Sequence, residues 1–201
     1  MGCDETTSYA FAINAANQIR HDQFDAAKIS WQISNDIDEA YAGGRASFWP
    51  ARAQLRNCAN TSPWFEGLDH AISKLNDEVN NAYETHDYES WLYGTSAHAV
   101  NSVVRGVELN NLKQSTRQRA EQQLHGAYSY GANLPQFIIQ FCDSLTGQIS
   151  NFSEPFQLAH TDEDELAKAT IYVLRLYYGV LFNDYTGASQ VLKLAQQRSC
   201  L

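Results

Sequence analysis

Methionine occurs once in the 201 residues, at position 1, and lysine only five times. No apolar run reaches the ~20 residues that a membrane-spanning helix needs. The four cysteines, Cys3, Cys58, Cys142 and Cys200, are scattered and form no C-x-x-C pair, which excludes a disulfide framework and the usual zinc spacings. The chain has no H-E-x-x-H, no Gly-x-Ser-x-Gly elbow and no glycine-rich phosphate loop; Gly43-Gly44 lacks the lysine of a P-loop. Clear alternation of apolar and polar residues is also missing, and with it any strand signal.

What is there begins with acid. Asp and Glu number 23 against 14 Lys and Arg, a formal charge of −9. Nucleic-acid binders show the opposite sign, because each phosphate contact needs Lys or Arg. DNA and RNA are therefore not expected partners. Hydrophobic residues make up 44% and charged residues 18%, a composition that folds rather than stays disordered.

Apolar residues recur at three- and four-residue spacing almost throughout, which predicts an all-α protein. The expected architecture is a single-domain, irregular antiparallel bundle of about seven or eight helices, with residues 1–6 a flexible N-terminus and 7–201 the helical domain. Helices are expected at about 7–21, 24–41 (marked by Ala27, Ile29, Trp31, Ile33 and Ile37), 47–60, 62–83 with 88–107 continuing helical, 112–128, 135–147, 162–182 and 186–198. Gly94 is a candidate break within 88–107, Asn110-Asn111 a turn, and 148–161 a loop. Proline falls near helix starts at Pro50, Pro63 and Pro135. Thr161 to Asp164 read as an N-cap cluster. The helices over 62–83 and 162–182 are expected to pack centrally, the latter being apolar nearly all round. Phe24 to Ala27 and Tyr185 to Ala188 share an aromatic-x-x-Ala start, as tetratricopeptide second helices do. No 34-residue register is kept, so this reads as helical-hairpin chemistry.

The N-terminus Met1-Gly2-Cys3 admits three readings. Met-Gly with Thr6 fits a myristoylation pattern, with Cys3 taking a second chain. Gly2-Cys3 resembles the end of a lipobox, with Cys3 as lipidation candidate and the leader removed. The third is an ordinary frayed end. Scarce lysine and a single methionine suit an exported mature domain. Membrane anchoring would run through Cys3 alone, placing the protein at a periplasmic or membrane-anchored location; otherwise it is cytoplasmic. Asn60-Thr61-Ser62 and Asn151-Phe152-Ser153 are glycosylation sequons, relevant only in a eukaryotic secretory route.

The densest polar cluster is Glu84, Asp87, Tyr88 and Glu89 with Trp91 beside them: an acid/base or cation site, an interaction patch, or a solvated helix segment. The pairs Glu66–His70 and Glu121–His125 lie four apart and share a helix face, but lack the Glu-x-x-His spacing of carboxylate bundles. Arg119 and His125 form an Arg-x5-His that resembles the motif of the all-helical HEPN ribonucleases. Ala120 stands where that motif usually has a polar residue. The likeness implies an RNA substrate, against which the negative charge argues. Arg175, inside Ile171 to Tyr178, is either a ligand or oligomer-interface arginine or the partner of a buried acid such as Asp38, Asp69 or Asp143.

Any of Trp31, Trp49, Trp64, Trp91 and the 11 tyrosines left exposed would mark a contact surface. An acidic face carrying Trp and Tyr suits a basic protein partner. The sequence thus predicts a non-enzymatic binding protein without cofactor, of the immunity or inhibitor type. The alternative is a metal- or small-molecule-binding helical protein or enzyme using the His/Asp/Glu clusters.

Overall fold

The computed structural model describes residues 4–41, 48–125, 134–147 and 165–197. Among the described residues the regular structure is all α-helical, with no strand. The chain divides into two compact units, 1–101 and 102–201.

The first unit holds α1 (Glu5–Arg20), α2 (Phe24–Tyr41), α3 (Phe48–Asn60), the single turn α4 (Ser62–Phe65), α5 (Leu68–Glu84) and α6 (Tyr88–Arg105) through Asn101. Asp4 starts α1 with a capping box: its carboxylate accepts the Thr6 N–H, and the Thr7 hydroxyl accepts the Asp4 N–H. α1 packs on α2 and α3. That interface is built from small residues, with Ala12, Ala15, Ala27 and Ala53 buried beside Ser8, Ser30 and Ser34.

Of the residues that mark α2 in the sequence only Ala27 is fully buried: the buried residues of the helix are Ala27, Ser30, Ser34 and Asp38, while Ile29 is 58% exposed. Residues without bulk let the helices approach closely, and their polar groups then need partners. They find them: the Ser34 hydroxyl donates to the Ser8 carbonyl at 2.9 Å, Asn57 Nδ2 donates to Ser34 Oγ at 3.0 Å, and Ser30 donates to Gln18 Oε1 at 2.8 Å.

α3, α5 and α6 carry the larger side chains. Leu55, Leu75, Val79, Trp91 and Leu92 are all buried. The expected helix over 62–83 is two, because the backbone at Gly67 takes φ +92, a value L side chains rarely adopt. Conversely, Gly94 breaks nothing. α6 runs through it, and the missing side chain is a packing device: a Cβ there would lie 2.6 Å from Val79 Cγ2 and 3.0 Å from Leu55 Cδ1. Gly94→Ala should therefore lose about 1–2 kcal/mol of stability despite the better helix propensity of alanine. Denaturant midpoints check this, and a gain in stability would contradict it.

The second unit holds α7 (Leu109–His125), α8 (Leu134–Leu145), α9 (Glu165–Leu181) and α10 (Tyr185–Gln197), with α8 packing on α7 and α9, and α10 on α9. The turn expected at Asn110-Asn111 sits earlier, at Gly106 (φ +79), and the Glu108 carboxylate accepts the N–H groups of Asn110 and Asn111 as the cap of α7. Ile171, Tyr172 and Leu174 of α9 are buried, but its last turn leaves Val180 and Leu181 exposed. The caps at Thr161 to Asp164, the loop 148–161 and residues 42–47 lie outside the described residues.

Three helix joints are built alike. Asp22, His86 and Asn183 take φ near +60 (58, 60 and 58). The next N–H, of Gln23, Asp87 or Asp184, donates five residues back to the carbonyl of Gln18, Ala82 or Gly179 at 2.8–2.9 Å. That same residue's carbonyl then accepts the N–H of Ala27, Trp91 or Ala188 and opens the next helix. Each joint is a left-handed C-terminal cap fused directly to a helix start, which Asp, Asn and His tolerate better than most residues. The shared starts at Phe24 and Tyr185 thus reflect one turn geometry, and Tyr88 belongs to the same set.

Candidate functional site

The acidic cluster of the sequence falls on the joint between α5 and α6. Glu84 ends α5 and is exposed. Asp87 starts α6 and is held by α3: Arg52 Nε donates to its Oδ2 and Arg52 Nη2 to its Oδ1, each at 2.8 Å. Arg52 Nη2 also donates to Glu89 Oε2 at 3.1 Å, and its guanidinium lies 4.2 Å from the Phe48 ring centroid. A two-pronged arginine–carboxylate pair of this kind has directional as well as ionic strength. Burial pushes the Asp87 carboxyl up, but the hydrogen bonds from Arg52 and Ser90 and the guanidinium charge outweigh it and hold it below the ordinary carboxylate range. The Asp87 hydrogen bond raises Arg52 in turn.

Tyr88 is half-buried between the rings of Tyr83 and His86. Trp91 is 2% exposed and lies on Tyr83, centroids 5.8 Å apart. The cluster is therefore a clamp that ties α3 to the α5–α6 joint. Glu84 and Glu89 are its solvent-facing members.

Exposed surface chemistry concentrates elsewhere in the first unit. Residues 1–101 hold 14 acidic and six basic residues, whereas 102–201 hold nine and eight, so nearly all of the −9 belongs to the first unit. On α2, positions 25, 29, 32, 36 and 39 recur at helical spacing and are all exposed: Asp25, Ile29, Gln32, Asp36 and Glu39. Beside this stripe, on the flank of α2, stand Phe24 and Trp31. α4 lays Trp64 on Phe24 (5.4 Å between centroids) and Phe65 on Trp31 (5.5 Å). Trp31 and Trp49 are half-buried and Trp91 is buried, but Trp64 is 61% exposed. Its partner Phe24 is 38% exposed.

No family model, no curated protein and no solved structure matches the chain. The reading of the site therefore rests on its own chemistry.

The remaining sequence candidates sort by position. Arg175 is half-buried on α9, and burial pushes its guanidinium pKa down. Asp143, one of its expected partners, is held by Lys113 of α7. Arg119 is buried on α7, and burial lowers it too; the side chain of His125 lies outside those described. His70 Nε2 lies 3.6 Å from Glu66 Oε1 on an exposed face. Cys58 and Cys142 are buried free thiols, pushed by burial up to about 12 and about 11, and so hold no thiolate near neutrality. Cys3 and Cys200 lie outside the described residues, as does Asn151. Asn60 of the first sequon is half-buried, its amide donating to Tyr93 Oη at 2.7 Å and accepting from it at 2.9 Å. Among the described residues no group of three His, Cys, Asp or Glu is placed to hold a metal, and no helix is long and apolar enough to cross a membrane.

The sequence offers Trp64 among four tryptophans that mark a contact surface when exposed, and Phe24 only as a helix start. The stripe of Asp25, Asp36 and Glu39 is present in it as acid at spacings of eleven and three, but nothing local marks that face as exposed.

Proposed function

We propose that this is a non-enzymatic binding protein that captures a basic protein partner, in the concrete form of an immunity or inhibitor-type protein that masks its partner's working surface. What supports the reading most is the partition of charge, with 14 acids against six bases in the first unit beside near balance in the second. A field of one sign steers an oppositely charged protein and raises its association rate at low salt. Membranes and nucleic acids are anionic and are repelled by the same field.

The test is affinity of the full chain for the basic proteins encoded beside its gene. A nanomolar complex is expected, with an association rate that falls steeply with salt and a dissociation rate that changes little. Failure to bind any of them, or an association rate indifferent to salt, refutes the reading. Rescue of cell growth on co-expression with a toxic partner would establish the immunity form.

A further inference from the structure

We infer that the outer face of α2, together with the Phe24–Trp64 pair at its N-terminal end, is the docking surface for a lysine- or arginine-bearing segment of a partner protein that also presents an apolar side chain. The inference rests on the binding reading above and assigns it a place.

Three observations carry it. Trp64 is 61% exposed and packs on Phe24, which is itself 38% exposed, so two large rings meet each other at the surface. Exposed tryptophan is the residue type that most often anchors a protein interface. Next to these rings runs a stripe with three carboxylates, Asp25, Asp36 and Glu39, against one ammonium, Lys28. Asp22, at the left-handed position of the joint, adds a fourth carboxylate beside Phe24. Finally, Ile29 stands 58% exposed in the middle of that stripe, one helical turn from Asp25. An apolar centre edged by charge of one sign is the layout of an interface core with a polar rim.

Charge complementarity selects the occupant. A second copy would set Asp25, Asp36 and Glu39 against the same acidic unit, where like charges facing each other are unfavourable. A basic segment satisfies them, and its apolar side chain covers Trp64 and Ile29.

The probe is a fluorescein-labelled amphipathic peptide of lysine and leucine, titrated with the full chain at low salt and followed by anisotropy. The wild type is expected to bind. Trp64→Ala should weaken binding about 30-fold, as truncation of an aromatic anchor does. Asp25→Lys combined with Asp36→Lys should slow association about ten-fold at low salt and much less at high salt. Asp77→Lys with Glu121→Lys changes the net charge equally at exposed positions of α5 and α7, and should leave affinity within about two-fold of the wild type. Circular dichroism confirms that each variant is folded; Phe24→Ala replaces Trp64→Ala if that variant is not. Equal affinity in wild type and in the Trp64 and Phe24 variants overturns the surface while leaving the binding reading intact. Absence of peptide binding by the wild type also overturns the surface. The binding reading itself falls only when the neighbouring basic proteins fail to bind.

Discussion

Trp91→Ala is expected to cost about 3–5 kcal/mol of stability, as removal of a fully buried aromatic does when the surroundings cannot collapse into the space. Trp64→Ala should cost less than about 1 kcal/mol, because its ring is mostly in water already. The two tryptophans look alike in the sequence, each flanked by acid and aromatic residues. Their surroundings separate them. Trp91 is 2% exposed, lies on Tyr83, and sits in the first turn of α6, three residues before Gly94 brings that helix against Val79 and Leu55. The packing around it is already too close for an added methyl at Gly94, so neighbours are held on several sides and have little freedom to fill a hole. Urea denaturation followed by far-UV circular dichroism measures both variants without relying on tryptophan fluorescence. A loss below about 1 kcal/mol in Trp91→Ala would show that the α5–α6 joint repacks around the cavity. Any weakening of partner binding in that variant would follow from loss of the folded unit, whereas in Trp64→Ala it would report the contact itself.

The same contrast shows what can be read from the chain. Helix type and most helix ends follow from local rules. α2 begins and ends at Phe24 and Tyr41 as its spacing predicts, because a joint residue tolerant of positive φ and an aromatic start are local signals. The sequence reads 62–83 as one helix through Gly67 and offers Gly94 as a break, and the structure differs at both for one reason: a glycine serves either a positive φ or a close approach, and the sequence does not say which. Gly67 has φ +92 and open space around an added Cβ, while Gly94 is helical and crowded. The buried face of α2 is not legible in its apolar residues, because Ala27, Ser30 and Ser34 pack closely through their smallness, whereas Ile29, Ile33 and Ile37 carry the stronger hydrophobic signal. Which acids work at a surface and which hold helices together was likewise not local. Asp87 and Asp25 each open a helix beside an aromatic residue. Only the distant Arg52, brought over by α3, makes the first a clamp and leaves the second to solvent.

Asp38→Asn should raise stability at about pH 8 by up to about 3 kcal/mol relative to its effect at about pH 4. Asp38 is buried on α2 against α3, accepting a hydrogen bond from Gln54 Nε2 at 2.9 Å. Burial raises its carboxyl from 3.8 to about 6, and the hydrogen bonds from Ser8 and Gln54 only partly offset this. A carboxyl raised in the folded state holds its proton there after the unfolded chain has lost it. Stability is then full below the unfolded value, falls as pH rises from about 4 through about 6, and levels off above. Asparagine keeps an acceptor for Gln54 without a charge to bury, so the variant lacks that fall. Asp87 supplies the opposite slope in the same unit. Its carboxyl is lowered, so its contribution is present above the unfolded value and is lost as pH drops through the folded one. Glu78, raised chiefly by burial, slopes the same way as Asp38. Wild-type stability should therefore pass through a maximum on the acid side of neutrality, with Asp38 and Glu78 setting the upper limb and the Arg52–Asp87 clamp the lower. Asp38→Asn removes its own share of the upper limb and leaves the lower. Arg52→Ala leaves a mostly buried carboxylate without its guanidinium and should lower stability by about 2–4 kcal/mol at neutral pH, flattening the lower limb. Denaturant midpoints taken at intervals from about pH 3 to about pH 8 resolve the two limbs. A difference between wild type and Asp38→Asn that stays constant across that range would mean that Asp38 titrates in the folded protein as it does in the unfolded chain. The polar layer between α1, α2 and α3 would then be solvating a charge rather than excluding one.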